Sequence, residues 1–117
     1  MSADIQRFDP GPRMSKAVVH GGTVYLMGCV ARDRDADIAT QTRQVLERIE
    51  SLLAEAGSAP DRLLSVTIYI SDMAEFQAMN AVWDDWVDGP NAPARTTVEA
   101  HMAAPEIKVE MTAIAAA

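Results

Sequence analysis

Cysteine is nearly absent. A single Cys29 in 117 residues excludes an internal disulfide and leaves packing to hold the fold. No apolar run approaches the ~20 residues that span a bilayer. No secretory signal pattern opens the chain, so the expectation is a soluble cytoplasmic protein without a membrane partner. Basic charge is also scarce. Ten Lys and Arg stand against 17 Asp and Glu, for a net charge of -7. That is the reverse of the field that draws nucleic acid. Aromatics are 5% of residues, with no aromatic–basic interleaving to stack bases. His20, His101 and Cys29 fall at no metal-ligand spacing. Gly21-Gly22 lacks the Lys-Ser/Thr and following helix of a phosphate loop.

What remains is ordinary globular composition, 49% hydrophobic and 23% charged. The length predicts one domain over residues 1–117. Met1 to Met14 reads as a short strand at most, then a turn. Lys16 to His20 and Thr23 to Cys29 are β-rich runs joined by Gly21-Gly22, a hairpin signal. The spacing of Ile38, Val45, Ile49, Leu52, Leu53 and Ala56 predicts a helix over 38–56, with acids before it and Gly57 at its stop. Leu63 to Ile70 alternates as a half-buried strand, with Leu64, Val66, Ile68 and Ile70 on one face. Asp72-x-x-Glu75 reads as a capping box opening a second helix. Its apolar stripe is Phe76, Met79, Val82, Trp83 and Trp86, read as core. Two last strands, about 95–102 and 107–115, are expected to pair as a hairpin with Met102 near Ile107. The fold class is α+β: a two-layer sandwich with a mixed sheet and two helices on one face. The other face is expected to carry Ser65, Thr67, Tyr69, Arg95, Thr97, Glu99, Lys108, Glu110 and Thr112. Water or another subunit can cover such a face.

The closing motif is Pro93-Ala94-Arg95, Val98-Glu99, Pro105, Lys108-Val109-Glu110 and Ala113-Ile114-Ala115. With Val24-Tyr25-Leu26, Gly28, Gln41-Thr42-Arg43-Gln44, Ala56-Gly57 and Met79-Asn80-Ala81, it resembles the RidA/YjgF reactive-intermediate deaminases, also called the L-PSP endoribonuclease family. The resemblance runs from about residue 14 to 116. It implies a chorismate-mutase-like fold and a homotrimer with sites between subunits. It also implies hydrolysis of 2-imino or enamino acids to 2-keto acids and ammonia, without metal or organic cofactor. By motif, Arg95 takes the place of the arginine that binds the substrate carboxylate. Gly28 and Asn80 match further site positions. Three positions depart from the family pattern. Thr112 stands where a glutamate precedes Ala-Ile-Ala, Met27-Gly28-Cys29 where Ser-Gly-Gln is usual, and Ser15 near a usual tyrosine.

The candidate catalytic residues are therefore Arg95, Thr97 and Thr112. The candidate substrate-binding residues are Arg95, Gly28, Cys29, Met27 and Asn80. A guanidinium can grip a carboxylate through two parallel hydrogen bonds, whereas its bland alternative is a surface ion pair. In the expected hairpin Glu99 faces Glu110, a pair able to act as acid and base if buried, and Thr97 faces Thr112. Cys29 has no nearby histidine base and reads as a small packed side chain that can line the pocket. Three functions follow: a hydrolase acting on C=N bonds, a trimer that binds a small 2-imino or 2-keto carboxylate without turnover, and an endoribonuclease. The acidic balance opposes the third.

Overall fold

The alternating run from Leu63 to Ile70 becomes the centre of the molecule. The computed structural model describes residues 4–117, so the first three residues of the expected domain lie outside the described residues; the expected short strand, at Gln6–Phe8, and the turn after it, where the Gly11 amide donates to the Met14 carbonyl at 2.8 Å, are present. The elements are β1 (Gln6–Phe8), β2 (Ala17–His20), β3 (Thr23–Leu26), β4 (Cys29–Val30), α1 (Ile38–Glu55), β5 (Leu63–Ile70), α2 (Phe76–Trp86), β6 (Ala94–Glu99) and β7 (Val109–Ala116). The strands form one mixed sheet in the order β1-β2-β3-β7-β5-β6, with β4 also paired to β7. Both helices back one face, the expected two-layer α+β arrangement. Among the described residues no helix is long and apolar enough to cross a membrane.

Local chemistry explains most of the elements. Gly21 and Gly22 sit at φ +58° and +79°, which lets a two-residue turn join β2 to β3 with His20 opposite Thr23. Asp37 caps α1 by accepting from the Thr40 amide at 2.9 Å. That hydrogen bond holds its carboxyl below the usual carboxylate range. Val45, Leu46, Ile49 and Leu53 of α1 are buried against Val66, Ile68, Ile70, Met111, Ala113 and Ala115 of the sheet. Asp72 accepts from the Ala74 amide, but a 3-10 turn over Met73–Glu75 precedes α2. Met79, Val82 and Trp83 are buried as expected.

Three expectations change. The last two strands do not form a hairpin. β5 lies between them, parallel to β6 and antiparallel to β7. A parallel pair needs a crossover, and α2 supplies it. Glu99 therefore pairs with Ile70 and Glu110 with Tyr69, so the two glutamates do not face each other; Thr97 pairs with Ile68 and Thr112 with Thr67. The faces change with the pairing. Val66, Ile68 and Ile70 point to the helices, so Arg95, Thr97 and Glu99 do too, and Thr96 and Val98 take the open face. Third, the register of β5 on β7 slips between Leu63 and Ser65. This bulge buries Leu63 and leaves Leu64 51% exposed.

A buried amide ties the long loops to α1. Gln41 Nε2 lies 3.0–3.1 Å from the carbonyl oxygens of Arg34, Ala36 and Glu106, and its Oε1 accepts from the Lys108 amide at 3.0 Å. Gln41→Leu leaves those backbone groups dry and unpaired. The expected cost is about 3–5 kcal/mol of stability by chemical denaturation, since each orphaned group costs about 1–3 kcal/mol. A loss below ~1 kcal/mol means that water takes the place of the amide.

Candidate functional site

Arg95 leaves β6 on the helix side, at the outer edge of the sheet. Its Cζ lies 5.2 Å from the centre of the Trp83 ring on α2. It is half-buried, and among the described residues its guanidinium makes no hydrogen bond or ion pair. Its N–H donors are therefore unspent. The surface ion pair with Glu99 does not form; Glu99 Oε1 instead accepts from the Met73 amide at 2.7 Å.

Thr97 follows Arg95 on the same side of β6, and Asn80 sits one turn before Trp83. Because α2 runs back against β6, these two fall along the same stretch of the α2–β6 interface. Thr97 Oγ1 and Asn80 Oδ1 are both buried without a hydrogen-bond partner. Buried polar atoms are normally paired, so these two are left for water or a group outside the chain to satisfy.

The second cluster lies on the open face. β3 and β4 run along β7 in registers that differ by one residue, so Met27-Gly28 forms a bulge between them. Gly28 has no side chain, and Glu110 Oε2 lies in the space that a Cβ there would need. Glu110 is half-buried, and no hydrogen bond or ion pair holds its carboxylate among the described residues. Thr112 stands two residues along on the same face, opposite Thr67. Met27 is half-buried and packs against the core at the bulge.

The candidates thus divide into two groups within one protomer. Arg95, Thr97 and Asn80 lie on the helix side of β6. Gly28, Glu110 and Thr112 lie on the open face of β7 and its neighbour. Thr112 does not fall opposite Thr97, the neighbour of Arg95, as the hairpin predicted, because β5 separates their strands. Glu110 was placed opposite Glu99 and so missed as the acid of the glycine bulge. The signal for it was its parity with Thr112, two residues away. Cys29 pairs with Met111 and is fully buried on the helix side, so it does not line an open pocket. Burial pushes its thiol up to about 11; Arg48 opposes this and Glu110 adds to it. Among the described residues no group of three or more His, Cys, Asp or Glu is placed to hold a metal.

A family model described as Endoribonuclease L-PSP matches residues 4–117. The RutC family protein YoaB of Escherichia coli K12 is 40% identical over 112 residues, covering 96% of this chain and 97% of that protein. A YjgF family protein of Neisseria meningitidis superposes with a TM-score of 0.94 at 41% identity, over 97% of this chain and 95% of that one. A member of the same family from Mycobacterium tuberculosis gives a TM-score of 0.88 at 28% identity, over 97% of this chain and 100% of that one.

Two outcomes follow from this geometry. Gly28→Ala displaces only the far end of the Glu110 side chain, so melting should shift by no more than a few degrees while any activity that uses Glu110 falls. Cys29 should resist iodoacetamide at pH 8 in the folded protein and react fully in urea, since a thiol at about 11 is ionised in only about one molecule in a thousand there. Rapid labelling of the native protein would contradict the burial.

Proposed function

The chain belongs to the L-PSP family that includes the YjgF and RutC proteins, and from that premise we propose that it hydrolyses small 2-imino or 2-enamino acids to 2-keto acids and ammonia. The observation that carries this reading is Arg95, whose Cζ lies over the Trp83 ring and whose N–H donors are unpaired among the described residues. A fixed, half-buried guanidinium with a free edge is a carboxylate receptor.

The site is composite. Arg95 and Glu110 lie on opposite faces of one sheet with β5 between their strands. A second copy that sets its β6 edge against the open face brings an arginine from one subunit to the glutamate of another, and three copies close a ring. The open face offers apolar contact for this, with Tyr25 47% and Val98 39% exposed.

The chemistry then needs only water and side chains. Arg95 holds the carboxylate. Water attacks C2 of the protonated imine while Glu110 takes its proton, giving a carbinolamine. The proton passes to the nitrogen, the C–N bond breaks, ammonia leaves and the 2-keto acid remains. The Thr112 hydroxyl hydrogen-bonds the water but cannot act as its base near neutral pH. Thr112 in the place of an acid favours a second reading, a trimer that binds small carboxylates without turnover. An endoribonuclease is disfavoured, because three copies at -7 carry about -21 and repel a phosphate backbone.

An amino-acid-oxidase coupled assay generates the imines in place and tests the proposal. Arg95→Ala should weaken 2-keto acid binding by about 30- to 1,000-fold, the loss of a charge-assisted bidentate pair, and Arg95→Lys should recover little. Glu110→Gln should lower kcat about 100- to 10,000-fold with KM nearly unchanged. Binding without turnover in the wild type would select the second reading. A stable monomer in sedimentation at micromolar concentration would sink the composite site.

A further inference from the structure

We propose that Trp83 is the positioning residue of the carboxylate receptor: its indole face fixes the Arg95 guanidinium in the orientation that binds. This rests on the carboxylate reading of Arg95 and adds the group that makes that arginine competent. Trp83 is 5% exposed, and 5.2 Å from ring centre to Cζ is within the ~6 Å reach of a cation–π contact.

The kind of contact matters. An acidic neighbour would also fix Arg95, but it would occupy the donors that a ligand needs. A ring beneath Cζ takes no conventional hydrogen bond, and among the described residues no acceptor holds the guanidinium N–H groups. A long arginine on an edge strand otherwise samples many rotamers, and ordering it is a cost charged against ligand affinity.

Trp83 is itself braced. Its ring lies 5.6 Å from that of Trp86, tilted by 50°. Trp86 Nε1 donates to Glu50 of α1 at 2.6 Å. The line Glu50, Trp86, Trp83, Arg95 thus links the first helix through the second to the edge strand. Among the described residues the Arg95 charge has no hydrogen bond or ion pair besides this ring contact.

Calorimetry with 2-ketobutyrate separates the two roles in wild type, Trp83→Phe and Trp83→Leu. Affinity should follow the ring, with about twofold to fivefold loss for Phe and about fivefold to thirtyfold for Leu. This order should hold whatever the melting temperatures. In the coupled assay KM should rise while kcat stays near wild type, because Trp83 touches no reacting atom. The Arg95 side-chain protons should resonate upfield from the indole ring current in the wild type and return toward ordinary positions in Trp83→Phe and Trp83→Leu. The proposal falls if folded Trp83→Leu binds as the wild type does, or if Phe and Leu lose affinity alike. It also falls if the wild-type Arg95 protons show no ring-current shift, a measurement that survives a Leu variant that fails to fold. If Arg95→Ala abolishes binding while Trp83→Leu does not, the carboxylate reading stands and only the positioning role is lost. A wild type that binds no 2-keto acid overturns both.

Discussion

The parallel pairing of β5 with β6 is the constraint on which the site depends. A parallel neighbour cannot be reached by a tight turn, so the chain must cross over the sheet, and α2 is that crossing. The crossing lays Trp83 over β6 and makes β6 an edge. It also fixes parity: once Val66 faces the helices, Arg95 beside it must as well. Had β6 paired with β7 instead, the same residues would have met a different environment, and Arg95 would have had no indole to lie on.

Where local chemistry determines structure, the sequence is legible. Gly-Gly between β-rich runs specifies the hairpin, since both residues need positive φ. The helical spacing from Ile38 and the Asp37 cap specify α1. The apolar stripe of α2 specifies its buried side. Pairing is different. Which strand lies beside β6 is a long-range choice that no short window contains, and a hairpin is the default for consecutive strands. The bulge at Leu63–Ser65 is similar: period-two alternation chose Leu64 as buried, and one slipped residue reversed that. For the site, motif resemblance named Arg95 as the carboxylate anchor and put Thr112 where the family has its glutamate. The backbone bulge at Met27-Gly28 directs attention to Glu110 instead, because the missing Cβ is where its carboxylate rests.

Long-range electrostatics work against the proposed ligand. A chain at -7 repels anions beyond a Debye length, about 8 Å at physiological salt. Recognition must therefore come from the last few ångströms. There, among the described residues, Arg95 has no acidic partner to compete for its donors. Overall charge then selects against polyanions, while the proposed site at Arg95 keeps its donors for a single small carboxylate.

Edge strands with free backbone groups invite pairing with other chains and are usually blunted. β6 is six residues long, carries Arg95 and Glu99 on its helix side, and follows a turn at Gly89–Asn91. Its open-face residues, Thr96 and Val98, are neither charged nor proline, so nothing on that face repels a docking partner. The sheet's open face shares this character, with Tyr25 and Val98 exposed beside Thr67, Tyr69 and Thr112. An edge left open, next to a face left uncovered, with the basic and acidic halves of a site on opposite sides of one sheet, is a self-consistent set. Each feature is a liability in an isolated protomer. In the proposed composite site they become the complementary halves of one interface. In the ring proposed above, the exposed edge would be removed, the face covered and the site assembled in a single step.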